Sequence, residues 1–277
     1  MTNSESSAIG NALQRFRETT HRIGAPLRTA WREKRLVRWA GYAFFAALVL
    51  WLVGWAWLAR DLPDAETLLD YQPNLPSVVR GIDGEIVHRY ERERRVELQF
   101  RDLPEQLMNA YISAEDETFW THGGIDAGGF IGAVIDYVSK IGSGERAVGG
   151  STITQQVAKN ILVGNEYSVT RKLKEMILAT RIEGVLSKQQ IITLYLNEIP
   201  LGRRSFGVQA AARAYFDKDV DDLELHEMAY LAILPRAPEV YSRQANYDTA
   251  RERRNWVLAQ MEDNGFITEQ QMQAAQA

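Results

Sequence analysis

A chain of 277 residues with 45% apolar and 25% charged residues has the composition of a folded protein, with room for one large domain or two modest ones. Without cysteine it forms no disulfide, no Cys-based zinc site and no thiol nucleophile. Charge is unevenly spread over the net −4: residues 1–38 hold eight Lys/Arg (Arg15, Arg17, Arg22, Arg28, Arg32, Lys34, Arg35, Arg38) against three Glu, so that segment carries +5 and the remainder −9.

From Trp39 to Ala59 run 21 residues without a charge. As a helix they span about 31 Å, against a hydrocarbon core of about 30 Å. Trp39, Trp51, Trp55 and Trp57 sit near the ends or on the flank, where indoles favour the membrane interface. A buried core helix is shorter, and a cleaved signal peptide has a shorter apolar stretch nearer the N-terminus. The basic flank fits membrane topology better than a nucleic-acid arm. We therefore expect a basic cytoplasmic tail over 1–38, a transmembrane helix over 39–59, and all that follows Arg60 outside the cytoplasm.

Residues 60–98 read as a linker with Pro63, Pro73 and Pro76, then a short β-hairpin turning at Asp83-Gly84 between β-branched runs. Beyond Arg101 the pattern is helical. Asp102-Leu103-Pro104 opens a helix whose buried face holds Leu107, Tyr111 and Ala114, which leaves Glu115 near its end. Further helices are predicted over 127–141, 151–162, 169–185, 188–197, 207–215, 224–234, 247–263 and 268–276. Ser187–Gln190 and Thr268–Gln271 have the capping-box pattern.

Four polar motifs exceed what helix packing needs. Glu115-Asp116 is followed by Phe119, His122 and Gly124; an aromatic beside a carboxyl strips its water and raises its pKa, as a general base near neutral pH requires. No second His stands at metal-ligand spacing. The glycine-rich run with Arg146 leading to Gly150 and Ser151 lacks the lysine and the preceding strand of a P-loop, so nucleotide binding is rejected. Ser151 and Thr152 at a helix start, with free N–H groups, would suit phosphate or sugar hydroxyls; the alternative is ordinary N-capping by Ser151. Thr154, Gln155, Gln156 and Lys159 add more polarity than a packed helix wants.

Arg171 and Lys172 stand four and three residues before Glu175, on one helix face. That is either a surface salt-bridge ladder or a cationic clamp holding an ionised carboxylate, suited to a diphosphate. Lys188, Tyr195 and Asn197 complete the set of positions that core packing does not demand.

In this order the motifs resemble the glycosyltransferase domain of peptidoglycan synthases, the lysozyme-like family of class A penicillin-binding proteins and monofunctional transglycosylases. A fifth stretch, Gly207 to Pro238, with Ala210–Phe216 and Leu231–Pro235, also fits, and the resemblance covers roughly residues 75–270. It implies a mainly α fold: a lysozyme-like helical glycosyltransferase domain with a small β element near the membrane and one N-terminal transmembrane helix. The catalytic domain would occupy 99–245 and a helical extension 246–277.

The resemblance also implies a reaction. Lipid II, a disaccharide-pentapeptide on undecaprenyl diphosphate, is polymerised into glycan strands. Glu115 would be the general base on the acceptor 4-hydroxyl, with inversion at the donor carbon. Glu175 with Arg171 and Lys172 would sit at the diphosphate, alone or with a divalent cation (Mg or Mn), and no organic cofactor is implied. Ser151, Thr152, Thr154, Gln155 and Gln156 would line the donor site. Partners would be lipid II, the growing strand, the bacterial inner membrane and other cell-wall synthesis proteins, with no nucleic acid.

Gly123-Gly124 departs from the family pattern and is expected to loosen its loop. The tail over 251–268 resembles the segment after this domain in bifunctional class A enzymes, yet Ser-x-x-Lys, Lys-Thr-Gly and Lys-Ser-Gly are absent. The chain is therefore either monofunctional or a truncated bifunctional protein without its transpeptidase domain, and truncation is the expectation. Two other readings stand beside this one: a lysozyme-like glycan-cleaving enzyme, which needs no diphosphate clamp, and a non-catalytic envelope scaffold.

Overall fold

A computed structural model describes residues 35–60, 62–69, 71, 77–80, 82–83, 86–90, 96–140, 150–163 and 169–277. The protein is mainly helical and divides into two compact units, Met1–Asp61 and Leu62–Ala277. In the first, α1 runs over Arg35–Arg60, and its stretch from Arg38 to Arg60 is long and apolar enough to cross a membrane. Phe44, Leu50 and Trp57 on it are exposed, as expected of side chains that face lipid.

In the second unit, β1 (Ser77–Arg80) pairs antiparallel with β2 (Ile86–Tyr90), the hairpin read from Asp83-Gly84. The helix α2 (Glu105–Glu115) is buried on every side from Leu107 to Ser113. The predicted single buried face is too narrow because α8 (Leu225–Ile233) and α10 (Tyr247–Asp263) both pack on α2, and on each other. Asp102 does not cap this helix. Its carboxylate accepts the Gln99 N–H at 3.0 Å in a preceding turn, and Pro104 takes the cap position.

Three elements form the other half of the core. They are α4 (Ile153–Val157), α5 (Val169–Val185) and α6 (Lys188–Glu198), with α4 packed on both of the others. Between the two halves lie α3 (Ala127–Ser139) in the chain and the edge-to-face contact of Tyr111 from α2 with Tyr195 from α6, at 6.0 Å between centroids. Tyr111 also donates to the Leu231 carbonyl at 3.0 Å, which ties α2 to α8.

Two predicted segments are corrected. The 151–162 helix is a five-residue α4 that continues as a π-helix over Ala158–Val163, because the chain loosens its turn just past Gln155-Gln156. The 246–277 stretch is no appendage, since Val257, Leu258 and Met261 of α10 are buried in the same core. The other predicted helices end within two residues of the observed ones, among them α7 (Val208–Phe216) and α11 (Glu269–Gln276), while the short α9 (Pro238–Tyr241) between α8 and α10 was not predicted. Both predicted capping boxes, at Ser187 and Thr268, are present.

Candidate active site

Glu115 is the last residue of α2, and the chain leaves the helix at Asp116. That turn is fixed from the far side. Asp116 Oδ2 accepts the Ile153 N–H at 2.9 Å, and His122 Nε2 lies 2.9 Å from each carboxylate oxygen. Because Gly124 N–H donates to His122 Nδ1 at 3.0 Å, the imidazole proton sits on Nε2 and is given to Asp116. Thr152 Oγ1 then donates to the Gly124 carbonyl at 2.8 Å. The loop 116–124 and the start of α4 are thus one hydrogen-bonded unit.

Gly124 has φ +92°, and a Cβ there would stand 2.6 Å from the Ala179 carbonyl oxygen of α5. Instead of loosening the loop, this glycine lets it press onto α5.

The cap of α4 is Thr152, whose hydroxyl accepts the Gln155 N–H at 3.1 Å. Ser151 is drawn elsewhere: Lys172 Nζ donates to its hydroxyl at 2.6 Å and to Gln155 Oε1 at 3.0 Å. Two of the N–H groups that a phosphate cradle at this helix start would use are therefore taken. Asp116 holds Ile153 N–H and Thr152 holds Gln155 N–H.

On α5 the burial of Glu175 decides between ladder and clamp. Its side chain is only 3% exposed, with Arg171 Nε at 3.2 Å and Lys172 Nζ at 3.3 Å. A solvated ladder would leave it in water, so this is a buried clamp. Burial pushes the Lys172 ammonium down from its usual range, and Glu175 opposes that shift.

These side chains line a cavity of about 440 Å³ with Glu115, Ser151, Gln155, Gln156, Lys159 and Arg236. Four cations (Lys159, Arg171, Lys172, Arg236) face two carboxylates there, so the cavity suits an anion. A second cavity, of about 410 Å³, shares Glu115 and Ser151 and is lined otherwise by Asp116, Glu117, Asp126, Asp136, Gly150, Thr152, Trp256 and Gln260, among others. Glu115 stands on the wall between the two.

Burial pushes the Glu115 carboxyl above its ordinary range. The hydrogen bond that Gln156 Nε2 gives to Oε2 at 2.8 Å pulls the other way, as do the charges of Arg253 and Arg236, while Asp116 adds to the rise. A carboxylate in that state is suited to take a proton near neutral pH.

Several predicted site residues lie behind the walls. Phe119 is fully buried against Trp120 and His122, with Lys188 Nζ 4.6 Å above its ring. Lys188 does not join the cationic set, because Glu183, five residues earlier across the helix break, holds its ammonium at 2.7 Å. Thr154, also fully buried, donates to the same carboxylate oxygen at 2.7 Å. Asn197 grips the Leu98 backbone at both ends, at 2.8 and 3.0 Å. Tyr195 is buried beneath Gln156. Arg146 lies outside the described residues.

Arg236, Arg253, Trp256 and Gln260 were not read from the sequence. They reach the site from the turn after α8 and from α10, and Arg253 stacks 3.6 Å over Trp256. The only local signal was Arg236 following the Leu234-Pro235 of the fifth stretch.

Among the described residues no group of three or more His, Cys, Asp or Glu could hold a metal ion. Glu175, the carboxylate on the anion side, is already engaged by two cations. The described residues around the anion cavity thus offer no such group for a divalent cation.

The transglycosylase family model matches residues 83–262, which takes in both cavities. The chain belongs to the transglycosylase family. Among the relatives of this transglycosylase chain, penicillin-binding protein 1A of Pseudomonas aeruginosa is 42% identical over 219 residues, 79% of this chain and 26% of that protein. Penicillin-binding protein 1A of Escherichia coli is 42% identical over 215 residues, covering 78% and 25%. That of Neisseria lactamica is 45% identical over 214 residues, covering 77% and 26%. The chain thus spans about a quarter of the length of the curated relatives it matches. The crystal structure of penicillin-binding protein 1A from Haemophilus influenzae aligns with a TM-score of 0.43 at 26% identity, over 74% of this chain and 21% of that one.

Proposed function

We propose that this transglycosylase polymerises lipid II into peptidoglycan glycan strands. The observation that carries the reading is Glu115, a carboxylate kept short of water on the wall between a cation-lined cavity and a second one. Glu115 takes the proton from the acceptor 4-hydroxyl as that oxygen bonds to the donor anomeric carbon. The bond from that carbon to the diphosphate breaks with inversion, and its electron pair leaves with the diphosphate. Lys159, Arg171, Lys172 and Arg236 neutralise the charge that develops on the leaving group.

Lys172 is held ready by Ser151, Gln155 and Glu175, so its ammonium needs little reorganisation when the anion arrives. Glu175 keeps the clamp together and is too occupied to act as a nucleophile. A lipid-linked donor also gives a role to the apolar α1, which anchors the chain in the bacterial inner membrane with the basic tail in the cytoplasm and the catalytic unit outside.

The test is purified protein with lipid II in detergent. Glycan strands resolved by gel electrophoresis are expected from the wild type, and Glu115→Gln should lower the rate at least about a hundredfold. Lipid II that is bound and never extended overturns the reading. Release of muropeptides from sacculi would turn it towards glycan cleavage.

A further inference from the structure

We propose that Gln156 is a positioning residue for Glu115, and that the Tyr195 hydroxyl selects which end of its amide faces the carboxylate. The inference rests on Glu115 being the base. Gln156 carries one donor end and one acceptor end. The Tyr195 hydroxyl lies 3.4 Å from Gln156 Oε1, and Gln156 Nε2 lies 2.8 Å from Glu115 Oε2. A phenol that donates to Oε1 turns the NH₂ group towards Glu115. The reversed amide would set a carbonyl oxygen against a carboxylate oxygen, tolerable only with Glu115 protonated and useless as a base.

The phenol is suited to be a permanent donor. Burial holds the Tyr195 hydroxyl well above its ordinary pKa, with Glu115 and Tyr111 adding to the rise, so it keeps its proton wherever Glu115 titrates. Tyr111 cannot substitute, because its hydroxyl is committed to the Leu231 carbonyl. The relay reaches Glu115 from α6 through α4, and neither Tyr195 nor its ring lines the cavities.

Other charged groups also act on Glu115. Arg236 on the turn after α8 and Arg253 on α10 favour its ionised form, and Asp116 opposes it. Lys159, Arg171, Lys172 and Glu175 share the anion cavity with it. None of these is altered by removing one phenolic oxygen.

The experiment is the pH profile of kcat/KM for lipid II polymerisation by the full chain. Tyr195→Phe keeps the ring and its packing on Tyr111. Its acidic limb is expected to move upward by about 0.5–1 pH unit, with KM at high pH within about twofold of wild type and an unchanged Tm. Gln156→Ala should move the limb at least as far, and adding Tyr195→Phe to it should move it no further, since the phenol acts through the amide. A Tyr195→Phe profile that coincides with wild type overturns the proposal. So does a loss equal at every pH, and so do shifts that add in the double variant. Glu115→Gln separates the two levels: if it polymerises like wild type, the base assignment fails, and if it is inactive while Tyr195→Phe leaves the limb in place, only the relay fails.

Discussion

Glu115 illustrates how one side chain sets stability against activity. Its raised pKa means that the folded protein binds a proton more tightly than the unfolded chain does. The ionised form therefore costs stability at neutral pH, and that cost disappears as pH falls below the unfolded pKa, where both states are protonated. Glu115→Gln is expected to raise Tm by a few degrees at pH 7 and to leave it unchanged near pH 3, as scanning calorimetry at the two pH values would show. Substituting Glu175 should instead cost stability. Glu175→Gln leaves Arg171 and Lys172 without their carboxylate in a largely buried site, and should cost about 3 kcal/mol by urea denaturation. Composition and spacing placed both glutamates without telling their roles apart, and only the family resemblance separated them. The i, i+3 and i, i+4 spacing of Lys172 and Arg171 fits a solvated ladder as well as a buried clamp, and only the burial of Glu175 decides.

Between elements, hydrogen bonds from Ile153 and Thr152 hold the 116–124 loop to the start of α4. Gly124 is where the loop and α5 come closest. Gly124→Ala places a methyl against the Ala179 carbonyl and forces a left-handed backbone, and should destabilise by about 2 kcal/mol or more in urea titration. Thr152→Ala removes both the cap of α4 and the bond to Gly124, and should cost about 1–2 kcal/mol. Helix positions were legible from periodicity and caps, and the observed ends of α5 and α10 are those predicted. The start of α4 was misread because Ser151 and Thr152 are equally good caps by sequence. A lysine twenty-one residues away removes Ser151 from the choice. The Lys188–Glu183 pair was not legible for a related reason, since the two lie on either side of a helix break that spacing rules do not cover.

Across the molecule, residues 62–277 pack as one unit in which α10 belongs to the core and contributes to the site. Leu258→Ala should therefore cost about 2–5 kcal/mol in urea denaturation, whereas a surface extension would lose about 0.5 kcal/mol or less. The contribution of α10 was the hardest part to read from sequence. Arg253, Trp256 and Gln260 meet Glu115 only because α10 crosses α2, and no local pattern reports a helix crossing.

The wall that carries Glu115 and Ser151 also bears on inhibition. The two cavities meet at a shared edge, so one molecule with an anionic head for the cationic chamber and a sugar-like arm for the other could occupy both. A tether short enough to cross the edge would make the second contact intramolecular, with gains of about a hundredfold or more over either fragment. Each fragment alone would fill only one chamber, whereas the joined molecule would fill both. Titration of the linked and unlinked compounds against the same enzyme would measure how closely the two chambers adjoin.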